Sequence, residues 1–525
     1  MIIRSPFPDV DIPEISFADF VLHRHPKPDQ KPALIDGQSG AILTYAELSQ
    51  SVRRTAAGLR ARGFKQGEVF GILSHNAPEF AIAFLAVVSL GGVMTPINPL
   101  YTEEEAGCQL RDACARFLLS APILVPKALG AARFAGIEET FVIGQAEGAT
   151  PFAELMKADE PLSQLHVAMD DVVVLPYSSG TTGLPKGVML THRNLVANLR
   201  QMEGSGFFHP DDTLICFLPL YHIYGLMVIL SLGLSLGSTI VLMPRFNLEG
   251  FLSLAQQFKA TIAHVVPPII LSLVKDPLVD QYDLSSLHTI FSGAAPLSDS
   301  LTRACMDRLG CQVRQGYGMT ETSPVTHSSP ADPEQIKLGS VGVTAPNTEC
   351  KIVDLEDGRA LGPLQDGEIC VRGPQVMKGY LNRPDETRRT IDEEGWLHTG
   401  DIGYVDHDGH FFVVDRAKEL IKYKGFQVAP AELEAVLLTH PAIADAAVVP
   451  SPDEEAGEVP AAFVVLKSET DPEAIIQFVA ERVAPFKRIR HVAIIDQIPK
   501  SPSGKILRRV LRERRRSPAG VRSER

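Results

Sequence analysis

The stretch YSSGTTGLPKGVML, residues 177–190, gathers glycines, hydroxyl side chains and a single lysine between two apolar runs. Glycine lets consecutive backbone N–H groups converge on an anion, because no Cβ stands in the way. Ser178, Ser179, Thr181 and Thr182 add hydroxyl donors, and Lys186 adds a mobile positive charge for phosphate oxygens. The ATPase template G-x-x-x-x-G-K-[ST] nevertheless fails: counted from Gly180, the sixth residue is Pro185, and Lys186 is followed by Gly187. DVVVLPYS, residues 171–178, reads as the strand leading into this loop, and THRNLVANLRQ, residues 191–201, as a capped helix leaving it. The alternative, a flexible linker, is disfavoured by an acid-free run wedged between buried elements.

Outward from the loop, helical and strand patterns alternate from about residue 33 to residue 320. TYAELSQSVRRTAAGLRARG, from residue 44, opens on a threonine cap and repeats Leu and Ala at helical spacing. VFGILS is a short β-rich run, and APEFAIAFLAVVSLGG is a helix closed by glycines. Such alternation implies parallel sheets covered by helices. Residues 225–241 form the most apolar segment; broken by Gly233 and Gly237, it reads as a buried helix and a strand.

Beyond residue 340 short strands meet at Asp-Gly turns, as in residues 348–373 and in GYVDHDGHFFVVD, residues 403–415, which predicts antiparallel hairpins. Past Arg416 a compact unit follows. It has a helix opening at Pro430, strands in AIADAAVVP and AAFVVLK, a second helix in PEAIIQFVAERVA and a third strand in HVAIIDQ. The domain boundary is placed at 417/418, giving units 1–417 and 418–525.

With 525 residues the chain exceeds one ordinary core. At 45% hydrophobic and 22% charged it has the composition of a globular enzyme, and its formal charge of −13 opposes general binding of nucleic acid. The seven cysteines are scattered without a C-x-x-C pair and read as buried thiols of a reducing compartment. No apolar run is long enough to span a membrane, the first residues lack a signal-peptide core, and the ending VRSER is no peroxisomal address. A cytoplasmic protein is expected; its state, monomer or homodimer, is not written in the sequence.

SSGTTGLPKGVMLTH resembles the first signature of the AMP-forming adenylating enzymes, the superfamily of acyl-CoA synthetases, luciferases and peptide-synthetase adenylation domains. The further boxes follow in order: LPLYHIYG (218–225), SGAAP (292–296), QGYGMTETSP (315–324), GEICVRG (367–373), HTGDIGYVD (398–406), DRAKELIKYKGFQVAPAELE (415–434) and IPKSPSGKILRR (498–509). One box is weak evidence; the ordered set, spanning nearly the whole chain, is specific. GEICVRG, LPLYHIYG and KYKGFQVAPAE are most similar to the 4-coumarate–CoA ligase branch.

The resemblance implies an α/β fold. Its large N-terminal domain would hold two helix-covered, parallel-rich sheets and a small β-barrel-like subdomain, followed by a small mobile α+β C-terminal domain. It implies ligation of a carboxylic acid to coenzyme A through an acyl-adenylate, with ATP and Mg²⁺. A carboxylate resists a thiol because its leaving group would be oxide; transfer to AMP supplies a better one, provided charge building on the α-phosphate is stabilised.

By resemblance, Ser178 to Gly183 (Ser179, Gly180, Thr181 and Thr182 between them) and Lys186 hold the departing phosphates. Gly293, Ala294, Ala295 and Pro296, with Gln315, Gly316, Gly318 and Met319, shape the adenine site, and Tyr317 stacks on the base. Thr320 bonds the α-phosphate, Glu321 binds Mg²⁺, and Asp401 and Arg416 hold the ribose. Lys505 neutralises charge between acid, ribose and α-phosphate during adenylation. Lys418 matches a hinge about which Lys422, Lys424, Gly425 and Gln427 are brought in for thioester formation. His222 would stand at the carboxylate end of the acyl pocket, lined by Tyr224, Gly225, Phe291, Gly318, Pro324 and Val325.

No aspartate occurs between Leu218 and Gly225 to pair with an amino acid's ammonium, and Tyr224 suits a phenol. Phe291 stands where plant coumarate ligases often carry lysine, so a cinnamate, a benzoate-like acid or a medium-chain fatty acid stays open. A luciferase-like oxygenase and an inactive nucleotide-binding protein are the alternatives from other classes; the intact Thr320, Glu321 and Lys505 oppose the second.

Overall fold

The computed structural model describes residues 1–25, 27–160, 166–178, 185–295, 297–416, 419–423, 426–453, 456–501 and 504–516. Two nine-stranded sheets form the body of the large domain. One is centred on the parallel strands Val69–Leu73, Val93–Pro96 and Ala115–Ser120, with Lys186–Thr191 antiparallel near its edge. The other runs parallel through Pro32–Asp36, Thr239–Leu242, Thr213–Cys216, Ile262–Val265, Thr289–Ser292 and Gln312–Gly318, and turns antiparallel at Val325–Ser328. A single apolar cluster joins the two sheets through the helices between them, including the fully buried Phe17, Phe80, Phe84 and Phe251.

The local signals hold where they are strongest. Thr44 caps the helix Tyr45–Ala61 with a reciprocal Glu47 capping box, and Thr191 caps His192–Gly204 in the same manner with Asn194. The apolar segment is a π-helix, Tyr224–Ser231, continued by Leu232–Leu236 and the strand Thr239–Leu242. Two details differ from expectation. The strand before the loop is divided into Val172–Val174 and Tyr177–Ser178, with Pro176, which cannot donate to a ladder, between them. Of the seven cysteines, Cys108 and Cys114 are exposed, Cys108 on the helix Glu103–Asp112 and Cys114 in the turn after it; the other five are buried.

A five-stranded sheet follows, antiparallel throughout: Ile3–Arg4, Glu349–Val353, Gly367–Arg372, Leu397–Val405 and Phe411–Arg416. The C-terminal unit packs Pro430–Leu438 and Pro472–Ala480 on a sheet built from Ile421–Tyr423, Phe426–Val428, Ile443–Asp453, Gly457–Leu466 and His491–Ile494. Its apolar clusters are separate from that of the large domain. The expected boundary at 417/418 falls on residues outside the described ones. No described helix is long and apolar enough to cross a membrane.

Candidate active site

Open parallel sheets bind ligands beyond the carboxyl ends of their strands, and a cavity of about 350 Å³ lies there. Thr289–Ser292 delivers Phe291, Gly293 and Ala294 to its wall; Gln312–Gly318 delivers Gly316, Tyr317 and Gly318; the short turn Thr320–Thr322 delivers Thr320 and Glu321. Ser178 and Lys186 enter from the other sheet, Arg416 from the antiparallel sheet, and Lys505 from the C-terminal unit. The last unit is seated closely: a Cβ on Gly504 would lie 2.9 Å from Val266 Cγ2.

At the polyphosphate-facing end, Glu321 is buried and its Oε1 accepts from Ser178 Oγ (3.1 Å) and Tyr380 OH (2.9 Å). A carboxylate held in this way and facing a cavity fits a hard divalent cation, which prefers oxygen ligands. Lys186 is not the mobile charge expected. It begins the strand Lys186–Thr191, its side chain is only 5% exposed, and its Nζ pairs with Glu386 Oε2 at 2.8 Å above the Tyr380 ring.

Toward the middle, Tyr317 OH donates to Asp401 Oδ2 (2.7 Å), and Asp401 Oδ1 pairs with Arg416 Nε (3.1 Å). Antiparallel register sets Asp401 opposite Arg416, so the two meet across neighbouring strands. Asp401 thus stands behind Tyr317 and Arg416 and does not itself line the cavity. Ala294 holds a left-handed φ of +70°, and Gly293 is required by its neighbour, since a Cβ there would lie 2.9 Å from the Tyr224 ring.

The acyl end is apolar and rests on a ladder. His264, Phe291 and Arg314 are register partners on adjacent parallel strands, so their side chains stack across the sheet. The His264 and Phe291 rings are 5.0 Å apart and 2° from parallel, Phe207 stacks on Phe291 at 4.8 Å, and the Arg314 guanidinium lies 4.4 Å from the Phe291 centroid. Arg314 is bound by the carbonyls of Ser205, Gly206 and Ser329, and burial lowers it to about 10. Tyr224 OH meets His264 Nδ1 at 3.1 Å. Burial, with the Arg314 charge behind it, lowers His264 to about 3, so the ring is neutral.

His222 lines the cavity and accepts from Tyr224 N–H at Nδ1 (3.2 Å). Burial, and next the nearby Lys505 ammonium, lower it to about 4. It is therefore neutral near pH 7 and can orient a carboxylate without adding a second positive charge.

Among the sequence candidates, the cavity collects Ser178, Lys186, His222, Tyr224, Phe291, Gly293, Ala294, Gly316, Tyr317, Gly318, Met319, Thr320, Glu321, Pro324, Val325, Arg416 and Lys505. Gly225, Ala295, Gln315, Asp401 and Lys422 are not on its wall, and the side chain of Gln427 is outside what the structure describes. Gly225 packs against its own loop, where a Cβ would lie 2.4 Å from Pro219 O. Gln315 is buried in its strand, and Lys422 is exposed on the C-terminal sheet. Ser179, Gly180, Thr181, Thr182, Gly183, Pro296, Lys418, Lys424 and Gly425 lie outside the described residues.

Sequence reading missed Phe207, Val228, Tyr380, Glu386, Arg389, Thr390, Glu368 and His398 on this wall. Glu368 and His398 were inside quoted boxes. Glu368 Oε2 pairs with His398 Nδ1 at 2.8 Å and Oε1 accepts from Gly400 N–H at 2.9 Å, which ties down the turn carrying Asp401. Cys370 and then Glu368 lift His398 to about 10, so it is an imidazolium. Residues 380–390 lie between the boxes, and nothing in their pattern announces a cavity.

The family comparison agrees with the geometry. The AMP-binding enzyme model matches residues 22–381, and the AMP-binding enzyme C-terminal domain matches residues 432–505. A 4-coumarate–CoA ligase of Petroselinum crispum is 47% identical, over 98% of this chain and 97% of its own. ATP-bound MatB from Rhodopseudomonas palustris superposes with a TM-score of 0.87 at 30% identity, covering 95% of this chain and 99% of that one. A benzoate CoA ligase from Burkholderia xenovorans gives 0.85 at 27% identity, covering 95% of this chain and 100% of that one. Matched by family models in both its large and its small domain, the chain belongs to the AMP-binding enzyme family and, within it, to the adenylate-forming acyl-CoA synthetases.

Proposed function

We propose that this chain is an AMP-forming acid–CoA ligase acting on a 4-hydroxycinnamate-type acid. In the first step a carboxylate oxygen bonds to the α-phosphorus of ATP and the bond to pyrophosphate breaks. In the second, the sulfur of coenzyme A bonds to the acyl carbon and AMP leaves. The observation that carries this is Lys505: a residue of the C-terminal unit lines one cavity with Thr320, Glu321 and the apolar acyl wall.

In this reading Thr320 and Lys505 attend the α-phosphate, Tyr317 lies against the adenine, and Arg416, positioned by Asp401 behind it, meets the ribose hydroxyls. Glu321 would hold Mg²⁺, which supplies charge neutralisation across the phosphates. Ser178 through Lys186 hold the departing pyrophosphate, with Ser179, Gly180, Thr181, Thr182 and Gly183 forming the loop's centre. His222, neutral, orients the carboxylate. Lys422 is away from the cavity, so thioester formation calls for a turn of the C-terminal unit, from about residue 418, that replaces Lys505 by Lys422, Lys424, Gly425 and Gln427. The cytoplasm suits such a protein, where ATP and coenzyme A are at hand.

The substrate assignment rests on the acyl end. Phe207, Phe291 and Val325 give the acyl end an apolar wall, and the Tyr224–His264 pair sets a hydroxyl that can exchange a hydrogen bond with a ring substituent. The names of the 47%-identical relatives point the same way. AMP release with coenzyme A, measured across 4-coumaric, cinnamic, benzoic and C6–C12 fatty acids, tests it. The highest kcat/KM is expected for 4-coumarate, with Tyr224→Phe lowering its advantage over cinnamate about tenfold, the worth of one hydrogen bond to a substrate hydroxyl. A fatty acid that outcompetes every aromatic acid overturns the substrate assignment.

A further inference from the structure

The helix Pro384–Thr390 turns Glu386 and Arg389, one turn apart, toward the polyphosphate end of the cavity. A carboxylate there has the wrong sign for a triphosphate. Glu386 is nevertheless held: Oε2 is 2.8 Å from Lys186 Nζ, while Oε1 lies 3.8 Å from Arg383 Nε on the outer side. Lys186 in turn rests 4.4 Å from the centre of the Tyr380 ring, and Tyr380 OH binds Glu321. Two opposite charges are thus neutralised at the point where the reaction needs a free cation.

We propose that Glu386 is a displaceable latch on Lys186. It keeps the ammonium paired above Tyr380 until the β- and γ-phosphates draw the ammonium away, and takes it back as pyrophosphate departs. The inference rests on Lys186 being a phosphate ligand in the proposed adenylation. The exchange is cheap for Glu386, because Arg383 stays with it when Lys186 turns. It is cheap for Lys186, because one anionic partner replaces another. Arg389, which makes no hydrogen bond or ion pair among the described residues, offers phosphate oxygens a second contact on the cavity wall. The latch trades affinity for turnover: ATP binds less tightly than the bare site would hold it, and pyrophosphate is released faster.

Calorimetric titration of the full chain with Mg²⁺–ATP and with pyrophosphate tests this in wild type, Glu386→Gln, Lys186→Met and the double variant. Glu386→Gln is expected to tighten both ligands about five- to tenfold, the scale of one half-buried ion pair. On the Lys186→Met background the same change is expected to alter affinity less than about twofold, because coupled residues are not additive. Glu386→Asp, too short to reach Lys186, shifts affinity in the same direction and guards against a folding defect of the glutamine variant. Unchanged or weaker binding by both Glu386 variants overturns the latch, and weaker binding restored by excess Mg²⁺ would make Glu386 a metal ligand instead. A wild-type chain that binds no ATP overturns the adenylation reading itself and the latch with it, so the two failures are distinct.

Discussion

Replacing Lys505 by alanine separates the two half-reactions. The ammonium lines the cavity beside His222, which burial and this same charge keep neutral. Two further cations of the wall lie in ion pairs, Arg416 with Asp401 at 3.1 Å and Lys186 with Glu386 at 2.8 Å. Lys505 is exposed in the open cavity, so its charge is screened until acid and nucleotide displace the water. A unit charge about 4 Å from developing negative charge, at an effective dielectric of about 20, is worth about 4 kcal/mol. Removing one donor from a preorganised oxyanion site costs about 10²–10³ in rate, the same scale. Pyrophosphate exchange dependent on acid should therefore fall by about 10²–10³ in Lys505→Ala. Thioester formation from supplied acyl-adenylate and coenzyme A should change less than about threefold. Lys505→Arg should not restore exchange, because a planar fork replaces a compact ammonium. Thermal unfolding should stay unchanged, since the side chain is exposed. Equal loss in both half-reactions, or retained exchange, would refute the reasoning.

Three further outcomes are expected. Glu321→Gln preserves an oxygen for Ser178 and Tyr380 but removes the charge, so the Mg²⁺ concentration for half-maximal adenylation should rise at least about tenfold; an unchanged Mg²⁺ titration removes Glu321 from the metal. Gly318→Ala puts a Cβ 1.8 Å from Pro324 O, so the loop must shift, lowering stability by about 1–3 kcal/mol and acyl turnover with it; both are read from melting and kcat/KM. His192, His264 and His327 are buried, and burial lowers them to about 4, 3 and 3. The unfolded chain binds their protons near pH 6.5 while the folded one refuses them, so stability is whole above that pH and declines below it. At pH 5.5 each costs about 1.4 kcal/mol, about 4 together, relative to pH 7.5. His398, raised to about 10, acts oppositely, its contribution whole below pH 6.5 and lost as pH rises toward 10. Urea midpoints at pH 5.5 and 7.5 check the balance; no loss of stability at pH 5.5 contradicts the neutral burial of the three rings.

Much of the architecture was legible because it is written locally. The Thr44 and Thr191 caps, the Pro430 start and the Asp-Gly hairpins each follow from a few adjacent residues. The division of the strand before the loop at Pro176 was legible in principle too, since proline interrupts a ladder wherever it stands. Cys108 was misread because helix-surface exposure depends on what the opposite face packs against, and Cys114 because it falls in the turn that follows the helix, on the surface.

For the site, contiguous boxes in the sequence mark the loops, and glycine, hydroxyl, carboxylate and lysine chemistry within each limits what it can hold. Tertiary structure alone decided the partnerships. Glu386 reaches Lys186, Arg314 stacks beneath Phe291 beside His264, and Lys505 enters beside His222, because sheet register and domain seating bring distant segments together. A helix of acids and arginines has one reading as solvated surface and another as a cavity wall, and only the fold chooses between them.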